Sequence, residues 1–364
     1  MCYNAPRRNS RSVMPLGSFF NEDIRQIIND NAIPWEQLAG STILITGATG
    51  LVGSVLAKVL SEANTHRSLG IRIIGHGRNT SKGKQLASET GIEFIGSDIR
   101  KPLPLTNSAD GIDYIFHCAA ITKSSEMVSN PTALMSTEAD GTRNILELAA
   151  KKHCKGLVYL SSMEVYGQVS SPEPVTETGL GYVDLSSPRS SYPESKRFCE
   201  CLCTAYASQY NVPVKIARLS LTFGAGVLDD PSNTRAPMQF ARKAISGEDV
   251  VLHTAGRSVI NCCYTADAVS ALFIILLKGK KGEAYNIANP KACVTVREMA
   301  ETAAKLLGGG KVSVKVDIPE DSAKLGYAPD VAMRLCVDKL MNLGWQPIYG
   351  LEEMYERMIG DRLA

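Results

Sequence analysis

The stretch TGATGLVG, residues 46–53, lies between an apolar run, STILIT at 41–46, and a segment of helical spacing at 51–63. Its glycines recur every three residues, and each position has its own use. Gly47 allows a tight turn, Gly50 lets the backbone approach a bulky anion, and Gly53 permits close packing of the following helix. The free N–H groups at a helix start favour phosphate. A glycine turn by itself is also a plain strand-to-helix connection. Between a strand and a helix it reads as a dinucleotide cradle built from Gly47, Thr49, Gly50, Leu51, Val52 and Gly53.

Outward from that turn, strand and helix patterns alternate. Apolar runs at 71–75 (IRIIG), 92–96 (IEFIG), 113–120 (DYIFHCAA), 157–162 (LVYLSS) and 212–220 (VPVKIARLS) read as strands. Residues 131–150 and 192–210 read as helices, the first with Pro131 in its opening turn, where proline is tolerated. Continuous apolar strands separated by helices predict a doubly wound α/β fold, a parallel Rossmann sheet covered on both faces. Beyond about residue 222 short strands mix with helices, which predicts a smaller C-terminal α/β substrate lobe. The expected division is an extension at 1–40, a nucleotide-binding domain at 41–222, and at 223–364 a lobe with segments returning to the main domain. Within the extension, 1–17 is expected to lack fixed structure. Residues 18–40 hold an amphipathic helix and a turn at Pro34.

Charge excludes some partners. A net charge of +2 from 39 basic and 37 acidic residues gives no broad field for nucleic acid or a membrane surface. An acidic ligand must therefore be held by a few local groups. The most apolar run, VSALFIILL at 269–277, is too short to span a bilayer and reads as a buried helix. The ten cysteines form no C-x-x-C pair and only five histidines are present, so no metal site is expected. Reduced thiols and the lack of a signal-peptide core predict a cytoplasmic protein.

Further motifs join the glycine turn: GSDI with Asp98, HCAA at 117–120, SSMEVYG at 161–167, YPESK at 192–196 and LGWQP at 343–347. Together they resemble the extended short-chain dehydrogenase/reductase superfamily, in its branch of NAD-dependent nucleotide-sugar epimerases and dehydratases, from about Ser41 to the C-terminus. The resemblance places Asp98, Ile99, Ala119 and Ala120 beside the cofactor. It makes Tyr192, Lys196 and Ser162 the catalytic group and implies a homodimer. Tyr192 and Lys196 stand four apart, so they share a helix face. A phenol with a pKa of about 10 is a poor base. A nearby ammonium and the positive nicotinamide favour phenolate, which can take a hydroxyl proton while hydride leaves the same carbon. Replacing either residue is expected to stop chemistry with little loss of stability. Glu164 matches an acid/base position of the family's dehydratases and decarboxylases. Its neighbour is Met163, which cannot transfer a proton.

The chain departs from that pattern at the substrate. Glu138 stands where the family often has the asparagine of N-x-x-G-T. The family's R-x-x-N-x-Y-G becomes Arg218, Leu221, Phe223 and Gly224, and Ile260 occupies the place of an arginine that grips diphosphate. Arg257 or Arg334 could substitute as substrate-binding groups, or both could face solvent. After the second strand GHGRNTSKGK has no acid for a ribose. Arg78 and Lys82 could instead meet the 2′-phosphate of NADP, while the family's redox-neutral members retain NAD. The expected reaction is transient oxidation of a sugar C4 hydroxyl, followed by epimerisation or by decarboxylation of a nucleotide-linked uronic acid. The alternatives are an NADP-dependent reductase of a keto sugar or other small carbonyl, and a non-catalytic dinucleotide sensor.

Overall fold

Alternate residues of one strand feed two cores. In β1 (Thr42–Thr46) Ile43 and Ile45 join one buried cluster and Leu44 joins another, as a strand covered on both faces requires. The computed structural model describes residues 18–105, 111–169, 173–225, 235–320 and 330–363. Residues 1–17, expected to lack fixed structure, lie outside the described residues.

Helix α1 (Ser18–Ile28) precedes β1. The first half continues with α2 (Leu51–Arg67), β2 (Arg72–Gly77), α3 (Thr80–Thr90), β3 (Glu93–Gly96) and β4 (Tyr114–His117). Then come α4 (Ser124–Ser129), α5 (Pro131–Lys152), β5 (Gly156–Ser162), α6 (Ser191–Gln209), β6 (Val214–Leu219) and β7 (Leu221–Phe223). The remainder comprises α7 (Ala236–Ile245), β8 (Val250–Leu252), β9 (Val259–Tyr264), α8 (Thr265–Lys278), β10 (Ala284–Ile287) and β11 (Cys293–Thr295). It closes with α9 (Val296–Leu307), β12 (Val314–Val316), α10 (Asp338–Met341) and α11 (Leu351–Leu363).

The main sheet has the order β10-β6-β5-β4-β1-β2-β3, and every pair is parallel. The chain winds outward from β1 to β3, then returns to β4 and winds the other way. The crevice between the carboxyl ends of β1 and β4 is the topological switch point, where such sheets bind ligands. The segment AYNIA supplies β10, a seventh strand beside β6. Two further small sheets have the orders β11-β9-β7 and β12-β8.

Helices α5 and α6 cover one face, where Ile145, Leu146 and Cys203 pack on Ile115, Leu157 and Ile216. Helices α2 and α8 cover the other. The apolar run at 269–277 is buried there from Val269 to Leu276. Helix α1 lies against α2, α8 and α11. Ile24, Ile27 and Ile28 are buried, and Asp23 accepts hydrogen bonds from Tyr264 (2.6 Å) and Arg357 (2.6 Å). The extension therefore thickens the helical layer. No helix among the described residues is long and apolar enough to cross a membrane.

Candidate active site

The β1–α2 turn fits only glycine at two positions. Gly47 has φ +66°, and a Cβ there would lie 2.8 Å from the Ala119 nitrogen. A Cβ on Gly53 would lie 2.3 Å from the Gly47 oxygen. The helix start at Gly50 has no side-chain cap, so no side chain competes with an anion there. A cavity of about 270 Å³ has the glycine turn, Leu51 and Val52 on one side. On its other side are Ser162, Glu164, Tyr192 and Lys196. The glycine turn and the residues expected to be catalytic thus line one space, and the turn's geometry fits a dinucleotide.

The other residues expected beside the cofactor take different positions. Ala120 lines the cavity. The Ala119 N–H donates to Thr46 (3.2 Å), which fixes the strand end beside the turn. Thr49 is half-buried near Gly77. Ile99 is buried against Gly141 of α5. Asp98 accepts both nitrogens of a fork from Arg100 (2.9 and 2.5 Å), and this pairing holds its carboxyl down at about 2. Arg78 is exposed just past β2, while Asn79 is engaged in capping α3 through the Lys82 N–H.

Ser162 ends β5 and caps the turn Met163–Tyr166 by accepting the Glu164 N–H at 3.2 Å. Tyr192 and Lys196 stand one turn apart on the buried face of α6. The Lys196 ammonium donates to the Leu160 carbonyl (2.9 Å) and lies over the rings of Tyr159 (4.9 Å) and Tyr192 (5.8 Å). It also forms an ion pair at 3.0 Å with Glu138, whose side chain is wholly buried. Sequence reasoning marked Glu138 as a departure but gave it no role. Burial acts most strongly on Lys196 and would lower its pKa, yet the charge and hydrogen bond of Glu138, with smaller contributions from Tyr192 and Cys199, together outweigh it and the net direction is up. Burial raises the Tyr192 phenol, Lys196 opposes this, Glu164 and Glu138 add to the rise, and a Ser162 hydrogen bond lowers it.

On the substrate side, Arg189 holds Glu164 at 2.8 Å. Arg235 lines the same cavity as Tyr192 and donates to Thr122 at 3.1 Å. Neither arginine was chosen from the sequence. Arg189 lies three residues before Tyr192, which was the available signal. Arg257 and Arg334 are both exposed, and neither lines this cavity or the next. A second cavity of about 670 Å³ adjoins the first through Met163 and Glu164. Ile260 forms part of its wall, where the resemblance called for an arginine; its cations include Arg189 and Lys243. Among the described residues no cluster of His, Cys, Asp or Glu is placed to hold a metal.

Behind Ser162 lies a saturated network. Arg218 grips Glu200 through two nitrogens (2.9 and 2.6 Å) and donates to Tyr166 (3.0 Å). Ser161 donates to Glu200 (2.5 Å), and Tyr166 donates to Asn286 (2.6 Å). These bonds tie β5, β6, β10 and α6 together behind Ser162, at the carboxyl end of β5, and Glu164 in the turn that follows.

The fold and the lining of this cavity are those of a dinucleotide-dependent enzyme. The model of the NAD dependent epimerase/dehydratase family matches residues 43–288, and the chain belongs to that family. It is 30% identical over 321 residues to UDP-glucuronic acid decarboxylase 1 of Xenopus tropicalis, covering 87% of this chain and 71% of that one. It is 34% identical over 247 residues to the UDP-N-acetyl-alpha-D-glucosaminuronate decarboxylase of Bacillus cytotoxicus, covering 67% of this chain and 74% of that protein. Among solved structures, UDP-glucuronic acid 4-epimerase of Bacillus cereus, in complex with UDP-glucuronic acid and NAD, has the same fold. Its TM-score is 0.73 at 19% identity, covering 89% of this chain and 100% of that chain.

Proposed function

We propose that this enzyme uses NAD to oxidise C4 of a UDP-linked hexuronic acid, releases its carboxyl group as CO₂ and restores the C4 hydroxyl. The observation that carries this reading is Arg235, a cation in the cavity that holds Tyr192 and Ser162. A guanidinium fork suits a carboxylate at C5. The curated relatives that act on UDP-linked uronic acids support the same choice.

When bound, NAD accepts and returns the hydride of C4. Tyr192 takes the C4 hydroxyl proton, and Ser162 holds the same oxygen. The resulting ketone is β to the carboxylate. The C5–C6 bond then breaks, its electron pair moves into the carbonyl to form an enolate, and CO₂ leaves. Glu164 takes up a proton from solvent as its ion pair with Arg189 loosens and delivers it to C5, where the C5–C6 bond was broken. Tyr192 gives its proton back to the C4 oxygen. Met163 offers no acid to expel water, so dehydration is disfavoured. The nucleotide occupies the larger cavity, with Arg189 and Lys243 toward the diphosphate. A homodimer through α5 and α6 is part of this reading; Met135 and Phe198 are exposed apolar side chains on those helices that it would cover.

Incubation with UDP-glucuronic acid, other UDP-hexuronic acids and UDP-hexoses, followed by mass analysis, tests the reading. Loss of CO₂ from a uronic acid is expected, with no net change in NAD. Turnover at unchanged mass would replace decarboxylation by epimerisation. Stoichiometric consumption of NADPH would replace both by a reductase.

A further inference from the structure

We propose that Glu138 is a positioning residue for the reaction: it makes Lys196 one half of a neutral ion pair and so keeps Tyr192 a proton donor until substrate and cofactor are seated. This rests on the reading of Tyr192 and Lys196 as the catalytic pair.

The geometry is specific. Glu138 comes from α5, not from the helix that carries the pair. Its side chain has no solvent access, and Oε2 lies 3.0 Å from the Lys196 ammonium. No hydrogen bond is aligned on Oε2 among the described residues. Oε1 accepts the Ile121 N–H at 3.3 Å, one residue beyond Ala120 of the cofactor cavity. One carboxylate thus touches both the lysine and the strand end that borders the cofactor.

A lone ammonium near a phenol favours phenolate, because opposite charges attract most strongly where water is excluded. An ammonium paired with a carboxylate presents a dipole, whose field falls off faster. The remaining groups do not supply the missing charge. From β4, His117 is buried between Thr46 and Thr142, and burial lowers its pKa to about 3, so it is neutral. Cys118 and Cys199 are raised by burial, and Tyr159 contributes only a ring face. Glu164 is engaged by Arg189, and Arg235 stands on the substrate side. Glu138 is therefore the anion that decides how much of the Lys196 charge reaches Tyr192.

The consequence lies in direction. A tyrosine that holds its proton serves the closing half of a redox-neutral cycle, in which the keto sugar must receive a proton as hydride returns. It also restrains the opening half at low pH. The asparagine of the resembled family carries no charge and would not act in this way.

Glu138→Gln keeps the size and the acceptor for Ile121 but removes the charge. The holoenzyme variant is expected to show the acid limb of its kcat profile about one to two pH units lower than the wild type. The phenolate absorbance of Tyr192, taken as the difference from a Tyr192→Phe protein without substrate, is expected to titrate lower by a similar amount. Glu138→Asn gives the same two readings if the glutamine variant does not fold. An unmoved acid limb and an unmoved phenolate titration would overturn the proposal and leave Glu138 a packing residue. The absorbance titration needs no sugar, so a wrong substrate and a wrong role for Glu138 give different results.

Discussion

Helix α6 carries one end of two buried ion pairs, and they are built differently. Lys196 meets Glu138 at the carboxyl edge of the sheet; one turn on, Glu200 meets Arg218 behind β5. The Glu200 carboxylate accepts Arg218 through a planar fork and Ser161 as well, and the guanidinium reaches Tyr166 and the Glu177 carbonyl. The Glu138 carboxylate has one ammonium and one long hydrogen bond. Buried polar networks rigidify when every member is satisfied, and under-satisfied groups are costly. The Arg218 pair is a brace. The Lys196 pair keeps unspent hydrogen-bonding capacity beside a cavity, as a site must if protons are to move there.

The brace should show the larger stability effect. Arg218→Met leaves Glu200 buried with a charge and no cation, a change expected to cost about 3–5 kcal/mol. Chemical denaturation would measure it. Folded enzyme at low temperature should keep most of its kcat, because Arg218 lines neither cavity. A mild effect on stability together with a large fall in kcat would erase the distinction between the two pairs.

Lys196→Met should destabilise too, in a pH-dependent way. This corrects the expectation from sequence that Lys196 could be replaced at little cost, since Glu138 was not known to face it. Without its partner, buried Glu138 resists ionisation and its folded-state pKa rises. A raised folded pKa gives stability that is present below the unfolded value and lost as pH rises through the folded one. The melting temperature of Lys196→Met should therefore fall further below the wild type at pH 8 than at pH 5. Adding Glu138→Gln should recover much of the loss at pH 8. A deficit independent of pH would mean that Glu138 is satisfied by other groups.

The brace and the site differ in how far sequence reveals them. The glycine turn is a matter of local backbone: three glycines between a strand and a helix state their own reason, and the Gly47 and Gly53 contacts bear this out. Tyr192 and Lys196 are legible because helical spacing places them on one face. Ser162 is legible as the last residue of an apolar strand. Glu138 lies 58 residues from Lys196 in sequence, as subtraction of their numbers shows, and only the packing of α5 on α6 joins them. Arg189 reaches the larger cavity from a turn and Arg235 the smaller one from a helix start, with no periodic pattern. Arg257 and Arg334 were chosen by type and proximity to motifs, and tertiary structure leaves both exposed.

Tyr192→Phe should have the smallest effect on stability and still stop turnover. The ring is buried with Ile121, Met127 and Leu134, and phenylalanine keeps that packing. Tyr192 lines the cavity and its hydroxyl gives up only the hydrogen bond to Ser162, so removing it should change stability by about 1 kcal/mol. Loss of the proton-transfer group should lower kcat by about 10²–10⁴-fold. Bound cofactor, read by the absorbance and mass of what copurifies, should be retained, since the glycine turn is untouched. A stable, cofactor-loaded and inactive Tyr192→Phe protein would place the chemistry on one oxygen at the end of α6. Retained turnover would move it elsewhere in the cavity and remove the reason for Lys196 and Glu138 to face each other there.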